Sequence, residues 1–128
     1  MSEHRIVDPP ELPEPVGFAH AVVAAPGRTI HLGGQIGEGT SLVEQFDSAA
    51  ARLVTALRAA GGEPDDLVSL VVYTTDVDGY RSSSRELGEV WRRHFGRRYP
   101  AMALVGVAAL YEPEARVELM GVAVVPDA

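Results

Sequence analysis

The sequence of 128 residues contains no cysteine and no lysine, and each absence removes a class of chemistry. Without cysteine the chain has no disulfide, no thiol nucleophile and no thiolate metal site. Without lysine it cannot form a Schiff base with a carbonyl substrate. No apolar run reaches the roughly twenty residues of a membrane span, and the acidic, Pro-rich N-terminal segment does not resemble a signal peptide. We therefore expect a soluble, cytoplasmic protein with no membrane partner.

Positive charge is also scarce, since eighteen acidic residues face eleven arginines and the formal net charge is -7. Such a balance argues against general binding to nucleic acid. Four arginines beside Trp91 resemble a nucleic-acid patch: Arg92, Arg93, Arg97 and Arg98. Arginine in a last helical turn also suits the helix dipole, and we favour that interpretation. No histidine pair has the spacing of metal ligands, so we predict neither a metal nor a cofactor.

The N-terminal half divides into an arm and the start of one domain. Residues 1–15 contain four prolines, which predict an irregular arm, and residues 16–126 have the length and apolar content of a single domain. Apolar runs at 18–25 and 29–32 flank Pro26-Gly27, a pattern that predicts a β-hairpin. The adjacent glycines 33 and 34 then indicate a bulge or a close approach of a ligand or another backbone.

Two helices and a strand are predicted in the middle of the chain. Ser41 followed by Glu44 is a capping-box pattern, and apolar residues recur at helical spacing from there to Ala60. The β-branched run 67–75 predicts a strand. A second helix is expected over 80–95, with Gly96 as its C-terminal cap.

The last quarter of the chain holds two apolar runs separated by a turn at 111–114, and these predict two strands. Glu118 is a single carboxylate within the second run, where it either lies on a solvated face or must find a partner. The element order favours an α+β fold in which two helices pack on one face of a mainly β sheet. We expect parallel pairing within the strand-helix-strand units at 29–75 and 67–110.

Several motifs together resemble the RidA/YjgF family over about residues 15–125. They are the opening Gly17-Phe18-Ala19-His20-Ala21-Val22, the strand end Gly33-Gly34-Gln35, the Trp91 helix, the entry Tyr99-Pro100-Ala101 and the strand Arg116-Val117-Glu118-Leu119. The resemblance implies a chorismate-mutase-like (YjgF-like) α+β fold. It also implies a homotrimer with its sheets packed around the axis and three clefts between subunits.

In the deaminase members of that family, an arginine directly after Pro-Ala binds the substrate carboxylate, and water adds to an enamine or imine carbon to release ammonia. The residue at that position here is Met102, and a thioether cannot replace a planar, bidentate cation. Phe18 stands in place of the usual tyrosine, and Ser84 in place of an asparagine. The resemblance therefore implies a substrate shifted away from acidic imines, unless another group binds the carboxylate. Arg116 is a candidate for that group, and a surface ion pair with a nearby glutamate is its other interpretation.

The sequence supports three hypotheses about function. The first is a trimeric hydrolase for an enamine, imine or related C-N substrate, in which Glu118 is catalytic. Its substrate-binding residues would be Phe18, Gly34, Gln35, Ser84, Met102, Leu104 and Arg116. The second is a non-catalytic trimer that binds a small metabolite. The third, taken from the family's older naming, is an endoribonuclease or translation inhibitor, which the acidic charge disfavours.

Overall fold

The longest helix begins at the predicted capping box. A computed structural model describes residues 3–128, and in it helix α1 spans Leu42–Ala59. The Ser41 hydroxyl accepts a hydrogen bond from the backbone N–H of Glu44, whose carboxylate accepts from the Ser41 N–H in return. That second hydrogen bond, with two more from Thr40, lowers the pKa of Glu44. The box satisfies backbone donors that the first helical turn leaves without partners.

A four-stranded sheet forms the centre of the molecule, in the order β3 (Gly27–Gln35), β6 (Val117–Pro126), β4 (Leu67–Thr74) and β5 (Ala101–Gly106). β6 runs antiparallel to both of its neighbours, while β4 and β5 are parallel. Parallel pairing is thus confirmed in the second strand-helix-strand unit. It is wrong for the first, because β6 lies between β3 and β4. A strand with a nearly continuous apolar sequence suits that central place.

One face of the sheet is covered by helix α1 and by helix α3 (Ser84–Phe95), which share a single hydrophobic core with the strands. The expected α+β, YjgF-like architecture is confirmed. The predicted second helix is in fact two, because helix α2 (Val77–Ser82) precedes α3 and the two meet at Ser83. α2 begins earlier than expected since the Asp76 side chain caps it by accepting from the Gly79 N–H. None of the helices within residues 3–128 is long and apolar enough to cross a membrane.

The predicted hairpin over 18–32 is wrong. Strand β2 (Ala21–Val23) pairs instead with strand β1 (Arg5–Val7) in a separate antiparallel sheet, and β3 pairs with β6. The arm that the prolines made look irregular therefore contains a strand. All four prolines follow β1, so β1 keeps its backbone donors. The His4 side chain fastens this arm, because its Nε2 lies 2.7 Å from the Val124 carbonyl and its Nδ1 accepts the Ala25 N–H.

Replacing the capping serine will test how much the box stabilises the fold. We expect Ser41→Ala to lower the free energy of unfolding by about 0.5–2 kcal/mol, because the Glu44 N–H loses its acceptor. Thr55→Ala is the matched control, since Thr55 only donates to the Ala51 carbonyl within the same helix. Urea unfolding of both variants measures the difference. Equal destabilisation by the two changes would contradict the assignment.

Candidate functional site

A cleft of about 610 Å³ opens between β5, α3 and residues 16–18. Four residues that the sequence nominated line it: Phe18, Ser84, Met102 and Leu104. Its walls are otherwise largely apolar and aromatic, and its volume lies in the range of small-molecule sites. This cleft is one of two places in which the nominated residues come together.

The register of the sheet directs the β5 side chains into the cleft. Met102 pairs with Leu70 and Leu104 pairs with Val72, and both of these β4 partners are buried in the core. Alternation along β5 therefore turns Met102 and Leu104 towards the helices. On the other wall, Ser84, Gly88 and Trp91 follow one another at helical spacing along α3.

Aromatic side chains stiffen the inner wall. Trp91 stacks on Tyr99 with ring centroids 5.0 Å apart, and its indole N–H donates to the Arg98 carbonyl. Tyr80 meets Phe46 edge to face at 6.1 Å. Burial, with a smaller contribution from Tyr99, raises the pKa of Tyr80 to about 12. The Tyr80 phenol is therefore neutral at physiological pH and remains a hydrogen-bond donor.

Glu118 lies on the opposite face of the sheet. Its neighbours Val117 and Leu119 are fully buried against the helices, so alternation turns Glu118 the other way, where it pairs with Tyr73. Among residues 3–128 no hydrogen bond or ion pair engages its carboxylate. Of the two possibilities left open by the sequence, the solvated face is the one observed.

Gly34 lies directly beneath that carboxylate. The register shifts between Leu32 and Gln35, which confirms the irregularity expected from the paired glycines. A Cβ at Gly34 would collide with Oε2 of Glu118, whereas a Cβ at Gly33 would meet nothing within 4 Å. Gln35 ends β3 opposite Leu119, beside the glutamate. The absence of a side chain at Gly34 therefore leaves the space that the Glu118 carboxylate occupies.

Arg116 belongs to neither place. It precedes β6, and its guanidinium forms an ion pair of 2.6 Å with Asp76 rather than with one of the glutamates considered from the sequence. Its backbone N–H donates to the Gln45 side chain. The Gly79 N–H and then Arg116 lower the pKa of Asp76. The geometry thus gives Arg116 the role of tying the start of β6 to the start of α2.

Within a single chain the nominated residues form two separate sets. Phe18, Ser84, Met102 and Leu104 line the helix-side cleft, while Gly34 and Glu118 occupy the open face of the sheet. Gln35 pairs with Leu119, so its side chain lies on the helix side and only its backbone lies beside Glu118. The sequence patterns did not indicate Tyr80, Arg85 or Gly88 as cleft residues. The available signal was the helical spacing of Ser84, Gly88 and Trp91, which places these three residues in a row along one side of α3. Within residues 3–128 no group of three or more His, Asp and Glu side chains is arranged to hold a metal ion.

Comparison with known families matches residues 12–125 to the family described as Endoribonuclease L-PSP, which comprises the RidA/YjgF proteins. The chain belongs to the RidA/YjgF family. A crystal structure of the Rid-family protein YyfB from Yersinia pestis superposes with a TM-score of 0.85 at 28% identity, over 95% of this chain and 98% of that one. Rv2704 from Mycobacterium tuberculosis is 34% identical with a TM-score of 0.67, over 86% and 88% of the two chains. RidA from an Antarctic Psychrobacter is 26% identical with a TM-score of 0.67, over 94% and 99%. Among curated proteins no match was found.

The raised pKa of Tyr80 can be tested by titrating the tyrosines of the folded protein. The chain has four tyrosines, and we expect the one at position 80 to ionise near pH 12 instead of near its ordinary value of 10.0. Its contribution to stability is complete below the ordinary value and is lost as the pH rises through this window, because only the unfolded chain has then released the proton. Phenolate absorbance measures the titration, with Tyr80→Phe as the control. A Tyr80 that ionises together with the exposed Tyr111 would refute the assignment.

The close approach of the Glu118 carboxylate to Gly34 can be tested by adding a side chain at position 34. We expect Gly34→Ala to displace the Glu118 carboxylate while the fold is retained, since the new methyl group meets the mobile end of a side chain. Gly33→Ala is the matched control, because its methyl group enters open space. The NMR chemical shift of the Glu118 carboxyl carbon will report the displacement. A carboxyl signal that moves equally in both variants would contradict the close approach.

Proposed function

We propose that the protein is a hydrolase for a small enamine, imine or related C-N compound, with its site in a cleft between subunits of a homotrimer. The observation that carries the proposal is the Glu118 carboxylate, which lies over Gly34 on the open face of the sheet and has no partner in the described part of the chain. A carboxylate that makes no structural bond is available to accept a proton from water. The small cleft and the acidic net charge favour a small molecule over RNA as the substrate.

The trimer is proposed because a single chain does not bring the two parts of the proposed site together. Glu118 lies on the open face of the sheet and Met102 on the helix face, so no substrate bound to one chain contacts both. The open face also exposes apolar side chains, including Val105 at 40% and Met120 at 41%. Packing this face against the cleft edge of a second copy would bury those side chains and bring the two halves together.

The proposed reaction needs only water and a side chain that accepts a proton from the water and passes a proton to the nitrogen. As the water oxygen bonds to the carbon of the C=N group, Glu118 accepts a proton from the water. Proton transfer to the nitrogen then allows the C–N bond to break, leaving a carbonyl compound and ammonia. General acid-base catalysis of this kind contributes roughly 10²–10⁴-fold to a rate. Gly34 and Gln35 would frame the water through their backbone groups.

The apolar wall of the cleft disfavours a substrate with a carboxylate next to the reacting carbon. Where the deaminase members of the family carry an arginine, Met102 contributes a thioether packed against the core, with Phe18 and Leu104 nearby. A carboxylate next to the reacting carbon would lose its water there without gaining a charged partner. We therefore propose that the group bound at Met102 is apolar.

Two substitutions test the proposal on the imine of pyruvate, generated in solution and followed by ammonia release. We expect little acceleration by the wild type and clear acceleration by Met102→Arg, because the new guanidinium can bind the carboxylate. Adding Glu118→Gln to Met102→Arg should lower that rate by roughly 10²–10⁴-fold. Samples are checked for a trimeric mass by ultracentrifugation.

Adding Glu38→Gln to Met102→Arg is the control, since Glu38 is an exposed carboxylate paired only with Arg52. An unchanged rate after loss of the Glu118 carboxylate would remove it from the mechanism. A trimeric Met102→Arg variant without activity would instead favour the metabolite-binding hypothesis.

A further inference from the structure

Two arginines border the cleft on the side of α3. Arg85 and Arg92 both line it and are seven residues apart, which is about two helical turns on one side of the helix. Gly88 lies between them and also lines the cleft. A Cβ at Gly88 would lie 3.6 Å from an Nη1 atom of Arg92, so that guanidinium extends back along the helix over the glycine. The rim therefore carries two cations on one side of α3.

Neither arginine has a side-chain partner among the residues that the structure describes. Five other arginines form ion pairs with carboxylates: Arg52, Arg58, Arg81, Arg93 and Arg116. Within residues 3–128 no ion pair or hydrogen bond involves the guanidinium of Arg85 or Arg92. The chain has eighteen acidic residues and only eleven arginines, and yet no described carboxylate forms an ion pair with either of these two. Their hydrogen-bond donors remain available to a ligand.

The floor below the rim is apolar. Leu87, Trp91, Met102 and Leu104 line it, and Tyr80 adds a neutral phenol. A ligand that matches both parts has an apolar body and an anionic end. Because a guanidinium pairs with a carboxylate through two parallel hydrogen bonds, a carboxylate is an anion that this rim fits.

We propose that Arg85 and Arg92 bind the carboxylate of an amphipathic substrate whose apolar body lies against Trp91 and Met102. This inference deepens the proposed function and rests on it, since the reacting C-N group is taken to lie in the same cleft. The substrate carboxylate would then bind at the rim on α3, away from the reacting carbon, and not at the β5 position where the deaminase members of the family bind it. The protein would then act on compounds in which an apolar segment separates the carboxylate from the C-N group.

Ligand binding can be measured without knowing the substrate. Trp91 is the single tryptophan of the chain and lies in the cleft, so its fluorescence reports occupancy. The probes are phenylbutanoate, phenylbutanol and phenylbutylamine, which share one apolar body and differ in the charge of the end group. We expect the acid to bind about tenfold more tightly than the alcohol and the amine to bind most weakly, as expected for two charge-assisted contacts at a partly exposed rim.

Substitution of the arginines assigns the effect to the rim. Arg85→Gln and Arg92→Gln should each weaken binding of the acid about three- to tenfold and leave binding of the alcohol unchanged. Arg92→Lys should restore part of the affinity for the acid. Arg97→Gln is the matched control, since Arg97 is exposed and does not line the cleft, and it should change nothing.

Three results would overturn the inference: equal affinity for acid and alcohol, an equal loss with Arg97→Gln, or no binding of any probe. Glu118→Gln separates this inference from the proposed function. A protein that still selects the acid through Arg85 and Arg92, but whose hydrolysis does not depend on Glu118, keeps the rim site and loses the hydrolase proposal. The opposite pattern keeps the hydrolase proposal and removes the rim site.

Discussion

The structure depends on the alternation of side chains along β6, the inner strand that pairs with both β3 and β4. Val117, Leu119 and Ala123 have no exposed surface and join the core beneath the helices, while Glu118, Met120 and Val122 face the other way. A shift of one residue in this register would exchange the two faces and place the Glu118 carboxylate in the core. Burial of one face thus fixes both the fold and the position of Glu118.

The same constraint separates the two halves of the candidate site. β5 turns Met102 and Leu104 towards the helices, whereas β6 turns Glu118 towards the open face. A sheet one layer thick lies between them, so the chain cannot complete the site by a small local movement. This is the physical reason that we place the reaction between copies of the chain.

The wall of the cleft around Met102 is apolar. Met102 joins Phe18, Leu104 and the aromatic wall in a surface that does not compensate a charge. The charged groups that remain, Arg85 and Arg92, are at the rim. If the proposed carboxylate site at Arg85 and Arg92 is correct, the ligand is elongated and its ends differ in polarity, unlike a short acidic imine.

The sequence alone determined what is encoded within a few residues. The capping box of Ser41 and Glu44, the run of β4 and the irregularity at Gly33 and Gly34 follow from local hydrogen bonds and side-chain periodicity, and the collected motifs sufficed to identify the family. Only the tertiary structure decided that β2 pairs with β1 rather than β3, and that Arg116 pairs with Asp76, forty residues away in sequence. It also decided which face each site residue occupies. Those outcomes depend on competition between distant strands and side chains for the same partners, and no local pattern records which of them wins.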